Sequence, residues 1–202
     1  MSSLYRNHVK RILDVFVSAL ALVILSPLLL ILAILVRWRL GSPVLFRQPR
    51  PGRDGEPFIL VKFRTMSDAR DDGWRPLPDA QRLGRFGAFL RASSLDELPE
   101  LWNVFTGAMS MVGPRPLLMD YLPLYTQDQA RRHEVRPGLT GWAQVHGRNA
   151  VTWEQRFALD VWYVDNMSFA VDMKTLGLTI GNVLTRRGIT ADGDVTMPPF
   201  RG

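Results

Sequence analysis

Cysteine is absent from the 202 residues, so no disulfide framework, thiolate metal site or cysteine nucleophile is available, and the absence fits a reducing compartment. Histidine is scarce. His8, His133 and His146 are scattered, which argues against a histidine-rich metal centre and leaves hard, oxygen-bound cations as the metals to expect. No Walker-type phosphate loop, dinucleotide fingerprint or serine elbow occurs, which removes the commonest nucleotide-binding and hydrolase classes. There is no internal repeat, low-complexity tract or interdomain linker, so residues 1–202 read as one domain. Acids are the minority charge: 19 against 25 Lys and Arg, for a formal +6 and a pI near 10.3. That balance points to phosphates, anionic lipid headgroups or nucleic acid as partners. With 47% hydrophobic residues the chain can build a core, and wholesale disorder is excluded.

Charge is missing altogether from Val15 to Val36. As one helix this run would extend about 33 Å at roughly 1.5 Å per residue, enough to cross a hydrocarbon core. A cleaved signal peptide should be shorter and followed by small residues, not by Arg37-Trp38-Arg39. Pro27 lies mid-run, where it removes a donor and meets the carbonyl of Val23, so the helix should bend there, with Ser26 able to satisfy a freed carbonyl. Both flanks are basic: Arg6, Lys10 and Arg11 precede the run, and Arg37, Arg39, Arg47, Arg50 and Arg53 follow it. Basic flanks mark the cytoplasmic side. A helical hairpin broken at Ser26-Pro27, entering and leaving the membrane by one face, satisfies both. The expectation is therefore a re-entrant membrane segment over 1–40 and a cytoplasmic part over 41–202 on the membrane surface.

That second part reads as α+β and mainly helical. Val44 to Gln48 and Phe58 to Arg64 alternate around a turn-rich Pro49 to Pro57, the pattern of a small, arginine-rich β-hairpin. Arg82 to Arg91 spaces Leu83, Phe86, Phe89 and Leu90 as an amphipathic helix, which fits either the membrane interface or an ordinary core. Ser94-Leu95-Asp96-Glu97 has the form of a capping box opening a helix that Gly107 ends. Further helices are predicted over Tyr121 to His133, Thr152 to Asn166 and Asp172 to Arg187, the last capped by Asp172.

Adjacent acids in a helix's first turn usually cap it. Around Asp96 and Glu97, however, stand Arg91 upstream, Arg115 on the rigid Pro114-Arg115-Pro116 turn, and Lys62 and Arg64 at the end of the basic hairpin. Carboxylates ringed by cations suit a diphosphate, with Mg²⁺ as the hard cation, and a carboxylate can attack phosphorus directly. Arg136-Pro137-Gly138-Leu139-Thr140-Gly141-Trp142 followed by Gly147-Arg148-Asn149 reads as a tight loop that could also hold a nucleotide. Structural roles are assigned to Asp160 and Tyr163, which share a helix face, and to Asp172.

Six motifs stand in order along nearly the whole chain: Lys10-Arg11-Ile12-Leu13-Asp14, Ser26-Pro27, Lys62-Phe63-Arg64-Thr65-Met66, Ser94-Leu95-Asp96-Glu97-Leu98-Pro99, Val112-Gly113-Pro114-Arg115-Pro116 and Arg136-Pro137-Gly138-Leu139-Thr140-Gly141-Trp142. Together they resemble the bacterial sugar transferase family. These are the monotopic phosphoglycosyl transferases of the bacterial inner membrane, and the chain is similar to their small, catalytic-core form. The resemblance implies that Asp96 is the nucleophile on the β-phosphate of a UDP-sugar. UMP would leave, and undecaprenyl phosphate would take the sugar phosphate from the acyl phosphate. It implies that Glu97 helps place Mg²⁺ with Asp96, and that the hairpin is re-entrant. Lys62, Arg91 and Arg115 become candidates for phosphate contacts, and Arg136, Arg148 and Asn149 for the nucleotide or sugar end. Glu100, Phe105 and Ala108 depart from the family's common Gln, Leu and Asp, and none is expected to touch the acid pair.

Two other classes compete with this reading. One is a catalytically silent membrane scaffold, against which the intact acid pair speaks. The other is a nucleic-acid binder suggested by pI, disfavoured because the basic residues flank membrane-seeking segments. A transferase that moves the sugar without its phosphate would release UDP rather than UMP. The sequence leaves the sugar, the pathway and any homo-oligomer open.

Overall fold

A computed structural model of the chain describes residues 4–71, 73–147, 152–184 and 199–202. Helices predominate and the two sheets have two strands each, so the chain is α+β and mainly helical. A wide π-type turn over Tyr5–Val9 leads into α1 (Lys10–Ile24), and α2 (Ser26–Leu40) follows at a 64° bend. The break has the cause its residues suggest. Pro27 falls in the first turn of α2, and Ser26 Oγ donates to Val23 O at 2.8 Å, the carbonyl that Pro27 leaves without its usual donor. Among the described residues no single helix is long and apolar enough to cross a membrane, but the bent pair passes that test together.

α1 is inside out relative to a soluble helix. Its protein-facing stripe is Lys10, Asp14 and Ser18, all buried, while Ile12, Phe16, Leu20 and Val23 face outward. Each buried polar group is engaged: Lys10 Nζ with Asp172 at 2.5 Å, Asp14 Oδ1 with the Met111 amide at 3.0 Å, and Ser18 Oγ with Asp14 O at 2.6 Å. The outward residues have no such reward in water. α2 buries Leu32 and Val36 against Phe63 and Leu90, which joins the bent pair to the rest of the molecule.

β1 (Leu45–Pro51) and β2 (Pro57–Phe63) form the expected antiparallel hairpin, in register from Leu45 opposite Phe63 to Pro51 opposite Pro57. The strands run further into the loop than expected, through Pro49 and Pro51. An edge strand tolerates donor-less residues whose N–H position can face away from the partner. The helix expected over 82–91 is interrupted at Gly84, whose backbone is extended, and becomes α3 (Arg85–Ala92). The capping box is not formed. Ser94 is left-handed at φ 55 and its side chain accepts no hydrogen bond from the turn; Leu95–Glu97 make a 3₁₀ turn and α4 starts only at Glu100 (Glu100–Thr106). Pro99 explains this: it has no N–H for the Leu95 carbonyl, so an α-type ladder cannot pass through it, whereas it is well placed at a helix start. Gly107 ends α4 in the left-handed region, as expected.

β3 (Ser110–Val112) and β4 (Gly138–Thr140) pair in parallel. The glycines around them do more than punctuate loops. A Cβ on Gly138 would lie 2.1 Å from Gly113 N, and one on Gly113 would lie 2.4 Å from Arg136 O. They allow the Gly113-Pro114-Arg115-Pro116 and Pro137-Gly138 backbones to touch. The single helix expected over 121–133 is instead a 3₁₀ segment (Met119–Leu124) containing Pro123, a one-turn helix (Gln127–Ala130) and a second 3₁₀ turn (Arg131–Glu134). Pro123 and the reciprocal Thr126–Gln129 capping box set the divisions. After α5 (Trp142–His146) come α6 (Trp153–Asn166), close to the expected bounds and capped by Thr152, and α7 (Phe169–Leu184). Asp172 does not cap α7. Its buried carboxylate accepts from Tyr5, Lys10 and Tyr163 instead.

Candidate active site

Three elements bring charge to one place. The 3₁₀ turn presents Asp96 and Glu97, β2 presents Lys62, and the turn after β3 presents Arg115 between two prolines. Buried Asn103 sets the spacing between the first two: its Oδ1 accepts from Val61 N at 3.1 Å and its Nδ2 donates to Ile59 O at 2.7 Å, fastening α4 to β2 beside Lys62. Arg132 fixes the third, donating from Nη2 to Arg115 O at 2.7 Å while its guanidinium is itself held by buried Asp160 at 2.8 Å. The backbones that carry Lys62 and Arg115 are thereby held in place.

The two adjacent acids are treated differently. Glu97 Oε1 takes both Lys62 Nζ, at 2.7 Å, and Arg115 Nη2, at 2.6 Å. Burial alone would push Glu97 up, but these two cations outweigh it and hold the carboxylate down to about 2. Asp96 has no such clamp. It is 7% exposed, and its Oδ1 is buried without a hydrogen-bond partner among the described residues. Burial, and then the neighbouring Glu97 charge, push Asp96 up to about 6 against the pull of Lys62, Arg115 and Arg91. One acid is therefore an anchored anion and the other a free carboxylate in a positive field. Arg91 stands off slightly, donating from Nε to Thr65 Oγ1 at 3.0 Å. Among the described residues no three His, Asp or Glu side chains are grouped as a ready-made metal cage. The donor set nevertheless fits Mg²⁺, which binds through one or two carboxylates plus substrate phosphates, and the orphaned Asp96 Oδ1 is an oxygen such an ion would take.

The family model for the bacterial sugar transferases matches residues 5–186. The chain belongs to the bacterial sugar transferase family. It is 54% identical over 193 residues to the uncharacterized sugar transferase EpsL of Bacillus subtilis, covering 96% of each. It is 41% identical to the UDP-glucose:undecaprenyl-phosphate glucose-1-phosphate transferase of Caulobacter vibrioides, covering 87% of this chain and 70% of that one. The exopolysaccharide production protein ExoY of Rhizobium meliloti is 39% identical, with 89% and 87% covered. Like them, this chain is a transferase by family.

Of the residues proposed from the sequence, the structure gathers Asp96, Glu97, Lys62, Arg115 and Arg91. Arg136 is elsewhere, at the far end of α4, with its Nε on Gly107 O at 2.9 Å. Arg148 and Asn149 lie outside the described residues. Glu100 was missed as a member of the cluster. It is 2% exposed, and its Oε1 lies 3.0 Å from the Lys62 Nζ that also holds Glu97, so it reaches the acid pair through a shared cation. Burial pushes it up to about 7 against the pull of Lys62, with Glu97 adding to the rise. A signal was available: Glu100 is three residues after Glu97 and four after Asp96, the spacing of one helical face. Asn103 and the Arg132–Asp160 pair gave no such signal, because their partners are distant in sequence.

Proposed function

We propose that this sugar transferase moves a sugar 1-phosphate from a UDP-sugar to undecaprenyl phosphate, releasing UMP through a covalent aspartyl phospho-sugar. The observation that carries the reading is the division between the two acids: Glu97 is clamped by Lys62 and Arg115, while Asp96 keeps an unengaged oxygen in the same positive field. In the first displacement an Asp96 oxygen bonds to the β-phosphorus, the bond from that phosphorus to the bridging oxygen breaks, and the electron pair departs with UMP. In the second, an oxygen of undecaprenyl phosphate bonds to the same phosphorus and the acyl phosphate bond breaks, which restores the carboxylate. Lys62, Arg91 and Arg115 neutralise charge on the diphosphate oxygens as it develops. Mg²⁺ held by Asp96 and Glu97 would supply further positive charge at those oxygens.

The bent α1–α2 pair supports a reaction at a membrane-borne acceptor. An outward face of Ile12, Phe16, Val23, Leu30 and Ile34 with basic residues at both ends fits a hairpin dipping into the bacterial inner membrane from the cytoplasmic side. The lipid phosphate then reaches Asp96 at the surface. Names of relatives make UDP-glucose the first donor to try. The test is to incubate lipid-solubilised protein with Mg²⁺, undecaprenyl phosphate and a panel of UDP-sugars, quantifying UMP and UDP. UMP release with one donor, reduced by roughly 10³-fold or more in Asp96→Asn, is expected. UDP release would assign plain glycosyl transfer, and silence across the panel would favour a scaffold.

A further inference from the structure

α4 carries the acid turn at one end and a second concentration of charge at the other. At its C-terminus Arg11 of α1 donates from Nη1 to Val104 O at 2.6 Å and from Nη2 to Phe105 O at 2.8 Å. Arg136 donates from Nε to Gly107 O at 2.9 Å. A Cβ on Gly107 would lie 3.1 Å from Arg11 Nη2, so the guanidinium lies directly across this glycine. Neither arginine takes part in an ion pair among the described residues. Arg53 adds a third cation: it follows Gly52, whose carbonyl lies 3.1 Å from Nδ1 of His133, three residues before Arg136, and it pairs with its exposed neighbour Asp54 at 3.3 Å.

Helix capping accounts for Arg11, whose two terminal nitrogens are both spent on carbonyls. It does not account for the rest. A helix C-terminus carries only about half a negative charge, too little for three guanidiniums. The uncompensated charge is felt: burial first, then Arg11 and Arg53, hold Arg136 below the usual guanidinium range, with Asp14 opposing. Asp14 already has Oδ1 engaged by the Met111 amide. On the same helix Trp102 and Phe105 are exposed, 5.7 Å apart, and the outward apolar face of α1 begins alongside. Exposed aromatics beside arginines are the residues of a lipid–water boundary.

We propose that Arg53 and Arg136, with the charge of Arg11 beside them, form a second phosphate-binding site, at the opposite end of α4 from Asp96, which takes the phosphodiester headgroup of an anionic lipid or a free phosphate. The seven residues of α4, Glu100–Thr106, separate it from the acid turn by about 10 Å at roughly 1.5 Å per residue, so it is not where phosphorus is transferred. The site would hold the catalytic helix against a charged membrane surface.

The test uses the full chain in neutral detergent. Short-chain phosphatidylglycerol, phosphatidylcholine and inorganic phosphate are titrated separately, with bound lipid read by native mass spectrometry and the melting temperature followed in parallel. Phosphatidylglycerol binding in preference to phosphatidylcholine identifies a lipid headgroup. A melting shift with inorganic phosphate identifies free phosphate as an occupant. Either response should weaken roughly tenfold or more in Arg53→Gln/Arg136→Gln. It should largely return in Arg53→Lys/Arg136→Lys, with circular dichroism confirming that both variants fold. No response to either probe overturns the proposal, as does a response that the glutamine variant retains.

Discussion

Asp96 and Glu97 are adjacent in sequence and opposite in circumstance, and the difference comes from their partners. A pair of acids at a helix start could be recognised as unusual from Arg91, Arg115 and Lys62 nearby, but which acid would be tied could not. That required knowing that β2 delivers Lys62 and the proline-flanked turn delivers Arg115 to the same Glu97 oxygen. His133 is a comparable case. Nothing local marks it, yet it is 9% exposed and its Nδ1 faces Gly52 O at 3.1 Å, which assigns the neutral ring with its proton on Nδ1. Burial, and then Arg132, push it down to about 4, with the Gly52 carbonyl opposing. The unfolded chain, with an ordinary value near 6.5, therefore takes up the proton first. This histidine's contribution is complete above pH 6.5 and declines by about 3 kcal/mol as the pH falls to about 4. Asp96 and Glu100, shifted upward, act in the opposite sense across part of that window, so the informative quantity is a difference. Chemical denaturation from pH 4 to 7 should show a shallower acid loss in His133→Gln than in the wild type. Equal slopes would mean that the ring is protonated or exposed in the folded state.

Elements were legible where a local cause sets them and illegible where a proline or glycine intervenes with two outcomes. Ser26-Pro27 predicted the bend, and Thr152 predicted the start of α6. Pro99 and Pro123 were underweighted, and in consequence a 3₁₀ turn and three short pieces stand where continuous helices were expected. The buried polar stripe of α1 was hidden because Lys10, Asp14 and Ser18 read, from the sequence, as the flank and interruptions of an apolar run. Seen in place, the stripe strengthens the case for lipid around the other face. The chain has no cysteine of its own, so single thiols can report where each end of the bent pair lies. Leu4→Cys and Ser42→Cys, both at exposed positions, should resist a membrane-impermeant maleimide in intact cells and react after permeabilisation. Labelling of either one from outside would make α1–α2 a crossing segment and defeat the re-entrant reading.

At the scale of the molecule, the ends of the chain hold the site together. Lys10 Nζ reaches Asp172 Oδ2 at 2.5 Å, Tyr163 OH bridges Asp172 Oδ1 at 2.6 Å and Val112 O at 3.0 Å, and Asp14 grips the Met111 amide. β3 is thereby fastened by the first helix and the last two, and β3 leads directly into Arg115. None of this was visible in sequence, where Lys10 and Asp172 stand 162 residues apart and each has an innocent local reading, as a membrane flank and a helix cap. A buried pair of this kind is costly to break on one side, because the survivor keeps its charge without its partner, at about 3–5 kcal/mol. Lys10→Met and Asp172→Asn should each show a loss of that order in detergent unfolding, the asparagine oxygen still accepting from one of the two tyrosines. The double variant leaves no unpaired charge, so its loss should fall short of the two single losses combined by at least about 1 kcal/mol. Strict additivity would mean that the ammonium and carboxylate are solvated separately. In that case β3, and with it the aim of Arg115 at Glu97, is held by hydrogen bonds and packing without help from the ion pair.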